Sequence, residues 1–71
     1  MSLESVKLLR DKANENIKEL AKLWNEDESD IKNWIYNNVD RANVLLPLEF
    51  YRQVYNESTN QLTVYKNEKN N

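Results

Sequence analysis

The sequence predicts an all-α domain, a small four-helix arrangement followed by a short extended C-terminal segment. Two patterns lead to this. Apolar side chains recur every three or four residues through the first fifty-odd positions, the spacing of one helical face. After Ser58 that spacing gives way to "QLTVY", where Leu62 and Val64 alternate with polar neighbours as in a strand. Leu3, Val6, Leu9 and Ala13 mark a first helix, flanked by Lys7, Arg10, Asp11 and Lys12. The chain contains no glycine, so Asn14 is read as its left-handed stop. Asn16 then caps a second helix over 17–24, whose stripe is Ile17, Leu20, Ala21 and Trp24. A polar break at Asn25 to Glu28 precedes a third helix, capped by Asp27 or Ser29, carrying Ile31, Trp34 and Ile35 and ending near Asn37. Asn37, Asn38 and Asn43 mark a turn. Pro47 suits the first position of a fourth helix bearing Leu48, Phe50, Tyr51, Val54 and Tyr55. The expected division is a helical domain over 1–57 and an extended or flexible tail over 58–71.

Composition narrows the function. Seventy-one residues, 39% hydrophobic and 31% charged, make one small domain with a thin core. There is no Cys and no His, which removes disulfides, the usual zinc ligands and the commonest general base. No nucleophile constellation or glycine-rich phosphate loop is visible, so neither an enzyme nor a bound cofactor, metal or small molecule is expected. No run reaches the roughly 20 apolar residues of a membrane span, and the N-terminus lacks a signal-peptide layout, so the expectation is a soluble cytoplasmic protein. The net charge of −2 is unlike the basic footprint of a domain that lives on a polyanion.

Leu9-Arg10, Leu20-Ala21, Asn25, and Ile31 followed three residues later by Trp34 stand at mutual spacings that match a known pattern without insertion. On these residues the chain resembles the Cro/CI-type helix-turn-helix regulators of bacteriophages over about residues 6–56. The likeness implies a transcriptional regulator in the bacterial host cytoplasm, part of a phage genetic switch. It also implies that Ala21 lies at the helix crossing, where only a small side chain fits. Leu20, Trp24, Ile31 and Trp34 would fill the space between the helices. On that reading, truncating either tryptophan costs about 3–5 kcal/mol.

Departures from the family pattern redirect the function. Asn25 replaces the usual turn glycine, a mild change because Asn tolerates the left-handed region. Ile17 replaces a glutamine that contacts phosphate in the family, and Glu26 stands where an aliphatic residue is usual. Positions matching the family's base-reading surface hold Asp27, Glu28, Ser29, Lys32, Asn33 and Tyr36. Glu26, Asp27, Glu28 and Asp30 are four carboxylates within five residues, which phosphates repel. Two explanations stay open: favourable charges at the positive end of a helix dipole, each contributing about 0.3–1 kcal/mol, or a recognition patch.

If the patch is functional, its target is a basic surface. The resemblance implies an antirepressor, one of the small modulators of repression of temperate phages. It would bind the DNA-contacting surface of the N-terminal domain of a CI-type repressor protein through Glu26, Asp27, Glu28, Asp30, Lys32, Asn33 and Tyr36. The alternative is a direct DNA-binding, Cro-like repressor in which Lys32, Asn33 and Ser29 read bases while Lys18, Lys22 and Arg41 touch phosphates. A module that imitates nucleic acid towards another basic protein would use the same carboxylates. For the tail, Leu62, Val64 and Tyr65 suit either an arm folded back on the domain or one reaching a partner.

Overall fold

The computed structural model describes residues 3–43 and 46–69. Three α-helices and one short 3₁₀ turn make up the architecture: α1 (Leu3–Trp24), α2 (Glu28–Asn37), a 3₁₀ turn (Arg41–Asn43) and α3 (Pro47–Lys69). The result is all-helical, with no strand among the described residues, but it has three helices where four were expected.

The expected stop at Asn14 and cap at Asn16 are absent, because α1 runs through both. Ala13, Ile17, Leu20 and Ala21 are all buried on one face of this helix, and breaking it would split that stripe. Two asparagines cost the helix only about 0.7 kcal/mol each, far less than the apolar burial they interrupt would cost. Asn16 instead cross-links two helices. Its amide nitrogen donates to Ser58 Oγ at 3.1 Å and to Thr59 Oγ1 at 3.0 Å.

The segment from Ser58 is not extended; α3 continues through it to Lys69, and residues 70–71 lie outside the described residues. Val54, Ser58 and Leu62, spaced i, i+4, i+8, are buried against the core, whereas Val64 is 44% exposed. The alternation that suggests a strand is therefore the edge of a helical stripe whose middle position is a serine. Ser58 is fully buried and fully engaged: it accepts from Asn16 and donates to the Tyr55 carbonyl at 3.0 Å. Thr63 likewise donates to the Thr59 carbonyl at 3.0 Å, a bond internal to the helix. The exposed Lys66–Glu19 ion pair, 3.5 Å, adds little stability in water. Both cross-links, Asn16 to Ser58 and Glu19 to Lys66, advance together along the two helices, so α1 and α3 run in the same general sense.

The short α2 closes the core with Ile31 and Ile35, 1% and 0% exposed. Its C-terminus is closed by Asn38, whose side-chain amide donates to the Trp34 carbonyl at 2.8 Å. Val39 then tucks inward, the Asp40 N–H donates to Gln53 Oε1, and Asp40 Oδ1 accepts from the Ala42 N–H to start the 3₁₀ turn. Pro47 opens α3, where a missing N–H costs nothing.

The tryptophans are not the core. Leu20, Ile31, Ile35 and Val54 fill it, leaving Trp24 half-buried and Trp34 41% exposed on the rim. Their rings meet edge to face with centroids 5.6 Å apart and an interplanar angle of 76°. Trp34→Ala should accordingly cost only about 1–2 kcal/mol in urea unfolding, chiefly the ring pair and partial burial. Ile35→Ala should cost about 2–5 kcal/mol and leave little folded protein. Deleting residues 58–71 should lower the melting temperature sharply, because it removes Ser58 and Leu62 from the core.

Candidate functional site

The corner between α1 and α2 is built by one left-handed residue. Asn25 has φ 55°, the conformation its polar side chain tolerates better than most. The Asn25 N–H donates to the Lys22 carbonyl at 3.3 Å and the Glu26 N–H to the Ala21 carbonyl at 2.9 Å. These two bonds close the helix end that Asn25 begins to turn. Three residues later α2 starts. The expected small residue at the crossing, Ala21, is 6% exposed, and the expected turn residue, Asn25, makes the turn.

Asp27 occupies the N-cap position with extended backbone, φ −70° and ψ 143°, yet its side chain makes no capping bond. Its carbonyl accepts the Asp30 and Ile31 N–H groups, each at 3.1 Å. Glu26, Asp27, Glu28 and Asp30 are all exposed, and none is ion-paired among the described residues. Dipole complementation explains acidic residues in the first turn, here Glu28 and Asp30. It does not need Glu26 or the side chain of Asp27, which lie ahead of the helix.

A groove of about 630 Å³ runs along this corner, with Lys18, Glu19, Ala21 and Lys22 on the α1 side and Glu26, Asp27 and Glu28 opposite. A second, on the other side of Lys18 and Glu28, is lined by Asp11, Asn14, Glu15, Ile17, Ser29 and Lys32 as well. Lys18 and Lys22, expected only as phosphate contacts, thus share a groove with the carboxylates. They stand one turn apart, a spacing that marks them as neighbours on a helix. What was not legible was that the chain reverses and brings Glu26 to Glu28 beside them.

The remaining expected site residues divide. Asn33 is exposed on the side of α2 opposite Ile31 and Ile35. Lys32 lies with its Nζ 5.8 Å from the Tyr36 ring centre. Tyr36 itself is turned from the acidic corner and stacks edge to face on Phe50, 5.0 Å between centroids at 73°. Ile17, expected to add contact area, is buried and presents almost nothing to a partner. Among the described residues, no group of three or more His, Cys, Asp or Glu is placed to hold a metal ion. No helix among them is long and apolar enough to cross a membrane.

No family model, curated protein or solved structure matches this chain. Its functional reading rests on its own geometry.

Burial raises the Tyr36 phenol above the ordinary 10.0, the neighbouring Tyr51 phenol raises it further, and Arg41 opposes both. The unfolded chain therefore gives up this proton first as pH climbs. The stability tied to Tyr36 is complete below pH 10.0 and is lost as pH rises through the higher folded value. Absorbance titration at alkaline pH should show a tyrosine step above pH 10.0, and Tyr36→Phe should remove that step and flatten the loss of stability.

Proposed function

We propose that this protein is an antirepressor of the Cro/CI-type regulator class, acting in a phage genetic switch in the bacterial cytoplasm. Its acidic corner binds the DNA-contacting surface of the N-terminal domain of a CI-type repressor. One observation carries the reading: four solvent-facing carboxylates without ionic partners stand at and just beyond a tight helix–helix turn. Such a surface offers oxygens where a repressor expects phosphates. Arginine and lysine side chains on the repressor would form charge-assisted pairs with Glu26, Asp27, Glu28 and Asp30, and the repressor could then not hold its operator. Asn33 adds a polar contact from the exposed side of α2, and Lys32 borders the surface beside Glu28. The rigidity of the corner favours binding, because a carboxylate set by a folded turn loses less freedom on docking than one on a loose tail.

The unbroken α1 departs from the four-helix expectation, so the reading leans on this corner more than on the regulator resemblance. A direct DNA-binding, Cro-like role draws support from Lys18 and Lys22 in the groove and from exposed Asn33, but the same groove holds Glu26, Asp27 and Glu28. Repulsion by these carboxylates opposes phosphate approach there.

Fluorescence anisotropy of operator DNA at low salt separates the two roles. An antirepressor forms a complex with DNA-free repressor and thereby releases prebound DNA; a Cro-like reader binds operator DNA in preference to a scrambled duplex of the same length and forms no complex with DNA-free repressor. The double change Asp27→Lys and Glu28→Lys should weaken the repressor complex by about a hundred- to ten-thousandfold, given ~1.5–3 kcal/mol for each of the two charged hydrogen bonds. Both side chains are exposed, so circular dichroism should be unchanged. Unaltered repressor affinity in that folded variant sinks the proposal.

A further inference from the structure

At the far end of α2 from the acidic corner, side chains from α2, the 3₁₀ turn and α3 gather into a second surface of opposite character. Tyr36, Phe50 and Tyr51 form a chain of edge-to-face rings, 5.0 Å between the first two centroids and 5.3 Å between the last two. All three are half-buried. The Arg41 guanidinium carbon lies 6.0 Å from the Phe50 ring centre, and its Nε donates to the Tyr36 carbonyl at 3.4 Å. That carbonyl belongs to the last turn of α2, the negative end of its dipole, so a cation is favoured there. Lys32, one turn earlier, adds a second cation beside the Tyr36 ring.

Both cations are exposed, and neither is ion-paired among the described residues. Nearby carboxylates have other work: Glu49 pairs with Arg52 at 3.0 Å, and Asp40 Oδ1 accepts the Ala42 N–H. With the guanidinium held by a ring and one Nε bond, its two terminal nitrogens remain as a fork for a bidentate oxyanion. Part of the ordering cost of binding is thereby met before any ligand arrives. The Tyr51 phenol and the Arg41 guanidinium both lie within electrostatic reach of the Tyr36 phenol.

We propose that Arg41, with Lys32 and the phenols of Tyr36 and Tyr51, is a contact site for the phosphate backbone of a nucleic acid. The donor set favours phosphate. A carboxylate is satisfied by one guanidinium, whereas a phosphate diester bears several acceptor oxygens that phenols and an ammonium group supplement. Two cations on different elements also suit successive phosphates along a strand. Arg41 lies at the other end of α2 from the four carboxylates, while Lys32 shares a groove with Glu28; the inference does not depend on antirepressor activity.

The test is titration of the full chain with a short mixed-sequence oligonucleotide, single-stranded and duplex, followed by anisotropy across salt concentrations. Two phosphate contacts predict a logarithmic salt slope of about −1.4 for the single strand and about −1.8 for the duplex. Arg41→Gln should weaken binding about tenfold at low salt and reduce the slope by about one contact. Arg41→Lys should keep the slope and lose part of the affinity, and Tyr51→Phe should lose a smaller part, so a folding defect in one variant does not leave the question open. Absence of saturable binding to either oligonucleotide, or binding indifferent to Arg41→Gln, overturns the proposal. Equal competition by a hexaglutamate peptide overturns it in favour of an acidic protein partner. Binding of inorganic phosphate without the oligonucleotides overturns it in favour of an isolated anion site. None of these variants alters Glu26, Asp27, Glu28 or Asp30, so repressor release can fail or succeed independently.

Discussion

The packing of α1 against α3 is the constraint on which everything else depends. Ala13, Ile17, Leu20 and Ala21 on one helix, with Val54, Ser58 and Leu62 on the other, leave almost no surface to solvent. In so small a domain this contact needs long helices, because each turn adds only one or two buried side chains. The length of α1 and α3 is therefore a consequence of the core rather than of local propensity. Ser58, the one buried polar residue among the described residues, meets Asn16 across the seam. An unsatisfied hydroxyl there would cost about 1–3 kcal/mol, so the pair disfavours any slipped register of the two helices.

With that pair in place, α2 has a restricted task. It supplies Ile31 and Ile35 to close the core and leaves its other sides free. A ten-residue helix of this kind has little stability alone, so its position is set by the turn before it and the anchored loop after it. Asn25 does the first, and Asn38, Val39 and the Asp40–Gln53 bond do the second. Charge is then sorted along α2: carboxylates stand at and just before its beginning, Lys32 at its middle and Arg41 just past its end. Glu28 and Asp30 in the first turn, and Arg41 against the Tyr36 carbonyl, complement the helix dipole.

The turn and the acidic corner were legible from residues alone. Asn25 was identifiable because it opens the polar break after Trp24, stands at the turn position of the helix-turn-helix pattern and tolerates positive φ, and α2 ends at Asn37 where its apolar face ends. Asn14 and Asn16 misled because capping preference is a local signal, and here a stripe spanning both sides outweighed it. Leu62 and Val64 misled because alternation over five residues fits the edge of a helix as well as a strand. Trp34 misled because size suggests burial, while Ala21 and aliphatic side chains fill the core; Trp24, half-buried, does pack against that core.

Composition and spacing by themselves determined that the chain is a small helical domain without cysteine or histidine chemistry, that it turns at Asn25, and that carboxylates crowd that turn. These follow from residue identity and from contacts within a few positions. Only the tertiary structure decided that the first two expected helices are one, that the tail is helix through Lys69, and that Tyr36 packs on Phe50. The reason is physical: each of those outcomes depends on partners 14 or more residues away, such as Asn16 with Ser58 at a separation of 42 and Tyr36 with Phe50. No local pattern carries the free energy of a contact with a helix not yet in place.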